Sequence, residues 1–278
     1  IVLYSLDNKL KDSHDGEFVV FDKTTYLSRE DIASLCPRQW LSAAVVDAYA
    51  RAKLRQIHNT GLLLDRVIFA GHVTNTLFEF VIPDATPRTC VQVDSEHSAT
   101  LRTYVEKAYP FVGTYLHEIP YLMLPHCDNQ HFTVYIIDTK SAGCFILDSW
   151  KDIGEERRML LHERGMQVQM AVAFFVRQFM GGKDICDYEW KLLRSNPTQD
   201  DNFSCGLFAC MFLQHYSYEW SEDNIPKQSW ADDLEVLRQA ICRDIVIQPQ
   251  NLELPTVLPK ALNWFEKLPK STKRAKEK

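Results

Sequence analysis

The chain has 278 residues, 46% of them hydrophobic and 24% charged, with a formal net charge of -6. That composition excludes a disordered or fibrous chain and is enough to bury one sizeable core. The charge is uneven: residues 267–278 hold six Lys/Arg and one Glu, leaving 25 basic against 36 acidic residues in the body, and an acidic body argues against broad nucleic-acid binding.

The basic tail reads as a solvated terminus, with contact to nucleic acid, a membrane or an import receptor as the alternative. The eight cysteines are scattered without a CxxC pair, so reduced thiols of a nuclear or cytoplasmic protein are expected rather than a disulfide framework. No apolar run approaches the roughly 20 residues of a membrane helix. The opening Ile1-Val2-Leu3-Tyr4 is no signal peptide, and without an initiator Met a piece cut from a longer protein is expected.

In chain order, Phe18-Val19-Val20-Phe21 suits a short strand, and Ser28 to Asp31 has the spacing of a capping box. That short helix is expected to stop at Pro37. Leu41 to Leu54 places Leu41, Val45, Ala48, Tyr49 and Ala52 at helical spacing. Residues 83–110, with Pro83, Pro87 and Pro110, read as an irregular, variable insertion. Then the period changes: residues 121–124, 132–137 and 143–147 read as strands, the last two joined by a turn at Asp138-Thr139-Lys140-Ser141. Glu155 to Met180 is helical and stops at Gly181-Gly182. Residues 188–193 suit another strand, 206–215 a buried helix and 232–246 an amphipathic one. Strands between helices suggest an α+β class. One domain over 1–250 is expected, followed by an extension, 251–278, that carries the basic tail.

Chemistry concentrates where the polar Gln199-Asp200-Asp201-Asn202-Phe203-Ser204 runs into the apolar helix opened by Cys205-Gly206. A thiol at a helix N-terminus meets unpaired N–H groups and the positive end of the dipole, which favours thiolate. Gly206 would leave room for substrate backbone beside the sulfur. Taken alone, Cys205 reads first as a structural core cysteine, since buried cysteines are common. His131 opens an apolar strand, and Asp148 closes the next one. If those strands form a hairpin, the carboxylate can hold one imidazole nitrogen while the other faces a thiol. His126, Cys127, His131 and Cys144 fit no common zinc spacing, so no metal is expected.

These segments resemble the Ulp/sentrin-specific protease family, which cleaves ubiquitin-like modifiers, chiefly SUMO. The family order is His, Asp, Gln, Cys, with 17 residues from His to Asp and six from Gln to Cys. His131, Asp148, Gln199 and Cys205 reproduce both spacings. The flanks Ile136-Ile137-Asp138, Leu147-Asp148-Ser149 and Cys205-Gly206-x-Phe208-x-Cys210 agree, and Gln39-Trp40-Leu41-Ser42 resembles the family's Trp-Leu segment. Three positions depart from the pattern: Ser204 replaces the usual Asp, Phe132 the usual Trp, and Ser42-Ala43 the usual Asn-Asp.

The resemblance implies a papain-like cysteine protease fold of the Ulp type, a central mixed sheet flanked by helices. It implies Cys205 as nucleophile, His131 as base, Asp148 as its orienting acid and Gln199 as oxyanion donor. Trp40 and Phe132 would clamp a Gly-Gly tail, with Ser204 beside the tail channel; a core-packed Trp40 is the alternative. No cofactor is implied. The expected partner of a monomer without nucleic-acid or membrane contacts is a ubiquitin-like modifier: SUMO, or else ubiquitin or a Nedd-type modifier. Rival readings are an acetyl-coenzyme A-dependent acyltransferase and an inactive modifier-binding module on the same fold.

Overall fold

In the computed structural model the described residues are 18–21, 25–62, 64–77, 95–108, 116–221, 233–248 and 251–267. Strands β1 (Phe18–Phe21) and β2 (Tyr26–Ser28) pair antiparallel. Ser28 then caps α1 (Arg29–Ala33): its hydroxyl accepts from Asp31 N, and the Asp31 carboxylate accepts from Ser28 N. The capping box is therefore made as the sequence spacing predicts, and α1 ends short of Pro37. Helix α2 (Ala43–Asn59) starts two residues later and ends five residues later than expected.

The main sheet has five strands in the order β3 (Arg66–Ile68), β4 (Tyr121–Asp128), β5 (His131–Asp138), β6 (Gly143–Asp148) and β7 (Trp190–Leu192). The outer pairs are parallel and the inner pairs antiparallel. Every residue of β5 is buried, because both faces of this central strand are covered, which is why it reads as a continuous apolar run. The sheet is thus mixed and flanked by helices.

Helices α3 (Gly71–Leu77), α4 (Ser95–Ala108), α5 (Glu155–Phe179), α6 (Cys205–His215), α7 (Tyr218–Ser221), α8 (Leu234–Val246) and α9 (Leu254–Lys267) complete the described elements. Nearly all of α6 is buried. It lies on the β5 face of Phe132 and Asp138, and just beyond its end the Tyr216 hydroxyl donates to Asp138 Oδ2 at 3.2 Å. Helix α5 lies on the opposite face, where Tyr135 meets Trp190 edge-on at 5.7 Å.

Two expectations about the periphery change. Residues 83–110 are not irregular throughout: 95–108 form α4. The three prolines that suggested irregularity fall outside that helix, while Leu101 and Val105, one turn apart, are 2% and 0% exposed. Residues 83–94 and 109–110 lie outside the described residues. The segment after 250 forms α9, which places Val257 and Ala261 in the same core; residues 268–278 of the basic tail lie outside the described residues.

Gly165 marks a close approach of α5 to the sheet, since a Cβ there would sit 2.7 Å from the Trp190 ring. Gly165→Ala should therefore overpack this contact and cost about 1–3 kcal/mol. A chemical-denaturation midpoint equal to wild type would contradict that packing.

Candidate active site

The hairpin β4–β5 turns through Asn129 and Gln130, both left-handed at φ 48° and 65°. Paired left-handed residues are the type I′ pattern that suits a tight hairpin, and a non-glycine pair there carries strain. The turn fixes His131 at the start of β5 and aims the Gln130 carbonyl at the start of α6. It accepts from the Cys205 thiol at 3.4 Å.

Register then brings Asp148 to His131. Thr133 lies opposite Asp148 in the β5–β6 ladder. His131, two residues before Thr133, projects from the same face. His131 Nε2 meets Asp148 Oδ1 at 2.8 Å. Cys205 interacts with the same imidazole and raises its pKa; with Nε2 on Asp148, Nδ1 is the ring nitrogen left for it. His131, Asp148 and Cys205 are 6%, 1% and 2% exposed.

Asp148 holds four donors. Oδ1 accepts from His131 Nε2 and from Trp150 N at 2.9 Å; Oδ2 accepts from Thr133 Oγ1 at 3.2 Å and from an Arg157 guanidinium nitrogen at 2.9 Å. Burial pushes this carboxyl upward, but the bond and charge of His131, the Trp150 N–H and Arg157 outweigh it and hold the pKa below 3.8. Burial pushes His131 downward; the bonds to Asp148 and Cys205, with their charges, outweigh it and hold the imidazole above 6.5.

Asp148-Ser149-Trp150 organises more than the acid. The Ser149 hydroxyl donates to Gln199 Oε1 at 2.6 Å, and Gln199 N donates to Ser149 O at 2.7 Å. Gln199 Nε2 donates to Asp201 O at 2.5 Å, with one amide hydrogen left over. The Trp150 ring packs against His131, tilted by 40°, at 4.5 Å between centroids. Asp201 in turn shapes the loop before Cys205: its carboxylate accepts from Phe203 N, Ser204 N and the Ser204 hydroxyl at 2.9, 2.8 and 2.7 Å.

Trp40 is 49% exposed, so it is not packed in the core, and its indole N–H donates to Asn202 O at 2.7 Å. The loop that carries it is pinned by Arg238, which donates to Ser34 O and Gln39 O at 3.2 and 2.9 Å. Phe132 is 4% exposed and lies under Gly206. One sequence reading is corrected here. A Cβ on Gly206 would lie 2.6 Å from Leu41 Cβ and 3.4 Å from the Phe132 ring. The missing side chain admits Leu41, not substrate backbone.

Asp201, Ser149, Arg157 and Arg238 were not legible as site residues. Only Asp201 carried a local signal, the acid-x-x-Ser spacing of a side-chain-capped turn. Among the described residues no group of His, Cys, Asp and Glu is arranged to hold a metal.

The pair has a pH signature. A His131 pKa raised on folding contributes stability that is full below 6.5 and lost as pH rises through the folded value. The lowered Asp148 pKa contributes above 3.8 and is lost as pH falls through the folded value. The stability gap between wild type and His131→Gln should therefore be larger at about pH 5 than at about pH 9. A gap that does not change with pH, measured by urea denaturation, would contradict the pairing.

A family model described as the Ulp1 protease family, C-terminal catalytic domain, matches residues 39–241. Comparison with curated protein sequences gives no match. Among solved structures, SUMO protease Ulp1 with its catalytic cysteine oxidised to a sulfenic acid superposes with a TM-score of 0.61 at 16% identity, covering 90% of this chain and 94% of that one. The Ulp1 protease domain in complex with Smt3, the yeast orthologue of SUMO, gives 0.60 at 16%, with the same coverage. A Ulp1-like SUMO protease catalytic domain from Chaetomium thermophilum gives 0.53 at 16%, covering 84% and 83%. With its five-stranded mixed sheet and a family match over most of its length, the chain belongs to the Ulp1 family of cysteine proteases.

Proposed function

We propose that the protein cleaves the peptide or isopeptide bond after the C-terminal Gly-Gly of a ubiquitin-like modifier, with SUMO the favoured modifier. The observation that carries this reading is the buried His131–Asp148 pair beside Cys205, whose thiol donates to the carbonyl of the neighbouring Gln130. SUMO is favoured because the Ulp1 protease domain, which shares this fold, is solved with Smt3.

In this mechanism Cys205 is the nucleophile. His131 Nδ1 takes the thiol proton, and the thiolate adds to the carbonyl carbon of the terminal glycine. The Gln199 amide and the Cys205 backbone N–H donate to the oxyanion. The C–N bond breaks as the imidazolium returns its proton to the leaving amine, and water then hydrolyses the thioester. Asp148 keeps its acceptor on Nε2, so Nδ1 stays turned to sulfur. The exposed Trp40 forms the outer wall of a slot for the diglycine tail. Phe132, beneath Gly206, forms its inner wall, and Ser204 lines the approach. Two aromatic walls select glycine because only residues without side chains thread between them.

The test is a panel of SUMO, ubiquitin and Nedd-type modifiers, each with a C-terminal thiol-reactive warhead. The reading predicts an adduct on Cys205 with SUMO and none with Cys205→Ala. An adduct with ubiquitin or a Nedd-type modifier alone reassigns the modifier. No adduct with any of them refutes the protease and leaves the acyltransferase or the inactive binding module.

Trp40→Ala should weaken engagement rather than chemistry. Its modifier affinity should drop on the order of tenfold or more, as for a truncated aromatic anchor. Affinity equal to wild type would rule out the wall.

A further inference from the structure

We propose that Arg157 is a positioning residue for the catalytic pair, acting on the His131 imidazole through both Asp148 and Trp150. The inference rests on the mechanism above.

Arg157 stands in the first turn of α5. A cation there opposes the helix dipole, so helix stability does not account for the position. Its guanidinium donates to Asp148 Oδ2 at 2.9 Å. Its central carbon lies 4.2 Å from the centroid of the Trp150 ring. Both groups also meet one target: Oδ1 of the same carboxylate holds His131 Nε2, and the Trp150 ring packs against the imidazole at a 40° tilt.

One side chain therefore grips both supports of the base. With Oδ2 occupied by Arg157 and Thr133, Oδ1 is the oxygen presented to the ring. With its outer part over the indole, Arg157 also limits how Trp150 can turn. Its buried Nε finds no acceptor among the described residues, so the placement favours these two contacts at the expense of a third. A lysine could supply the charge but not the planar stack.

The charged surroundings are few. His131 faces Asp148 from β6 and Cys205 from α6. Arg157 reaches the carboxylate from α5, and further along the same helix Arg164 pairs with Asp128 of β4 at 2.8 Å. Lys151 and Asp200 pair at the exposed rim. Arg157 is thus the one cation among them that bonds the acid itself.

The experiment compares wild type, R157Q and R157K. It reads kcat and KM for a modifier substrate, the thermal midpoint, and the His131 titration by NMR on protein labelled at imidazole Cε1. R157Q should lower kcat on the order of tenfold, as loss of an outer-shell partner does, while KM stays within about twofold. Removing the cation leaves more of the carboxylate's field for the imidazolium, so the His131 pKa should rise by about half a unit. R157K should keep the wild-type His131 titration and recover part of the rate.

Wild-type kcat and an unshifted His131 titration in R157Q would overturn the proposal, even with a lowered thermal midpoint, because Arg157 would then only brace the fold. An R157K that shifts His131 as R157Q does would overturn it as well. The titration needs no substrate. Wild-type protein that cleaves no modifier would sink the proposed function, and the His131 shift alone would still decide the role of Arg157.

Discussion

A carboxylate almost sealed from water is the fixed point of this molecule. Asp148 is 1% exposed, and a buried charge is tolerated only when its lone pairs are filled and a counter-charge is near. Four donors fill it: an imidazole, a backbone N–H, a hydroxyl and a guanidinium. They come from three structural sources. The sheet supplies Thr133 and the imidazole, the chain after β6 supplies Trp150 N, and α5 supplies Arg157. What satisfies the charge also sets the direction of the ring.

The sheet makes that arrangement inexpensive to specify. Antiparallel register places Thr133 opposite Asp148, and strand alternation puts His131 on the same face. A slip of one residue would turn His131 to the other face of the strand. The left-handed turn at Asn129-Gln130 opposes such a slip, and its carbonyl meets the thiol. The last residue of β6 and the two that follow it then divide the work between them. Asp148 takes the His131 ring, Ser149 orients the Gln199 amide, and Trp150 covers the imidazole.

Much of this was legible in the sequence because it is local. The capping box at Ser28, the apolar runs of β4, β5 and β6 and the polar-to-apolar change at Cys205 each reflect short-range physics. The hairpin argument for His131 and Asp148 needed only strand period and a turn. What failed was long-range or masked by punctuation. Pro83, Pro87 and Pro110 made residues 95–108 look irregular, yet all three fall outside α4. Val257 and Ala261 join the core through packing that no local period announces. Arg157 looks like one more charge at a helix start, and its partners are set by how α5 lies across the end of β6. Gly206 invited a substrate-facing reading, although the space beside it is taken by Leu41.

The central claim is that an imidazole held by Asp148 activates Cys205. Its most direct test is the rate at which iodoacetamide alkylates each cysteine near neutral pH, followed peptide by peptide by mass spectrometry in wild type and in Asp148→Asn. The account predicts that Cys205 is the fastest-reacting cysteine in wild type and slows by about tenfold or more in the variant, as the imidazole loses its orientation. Equal Cys205 rates in the two proteins would contradict it.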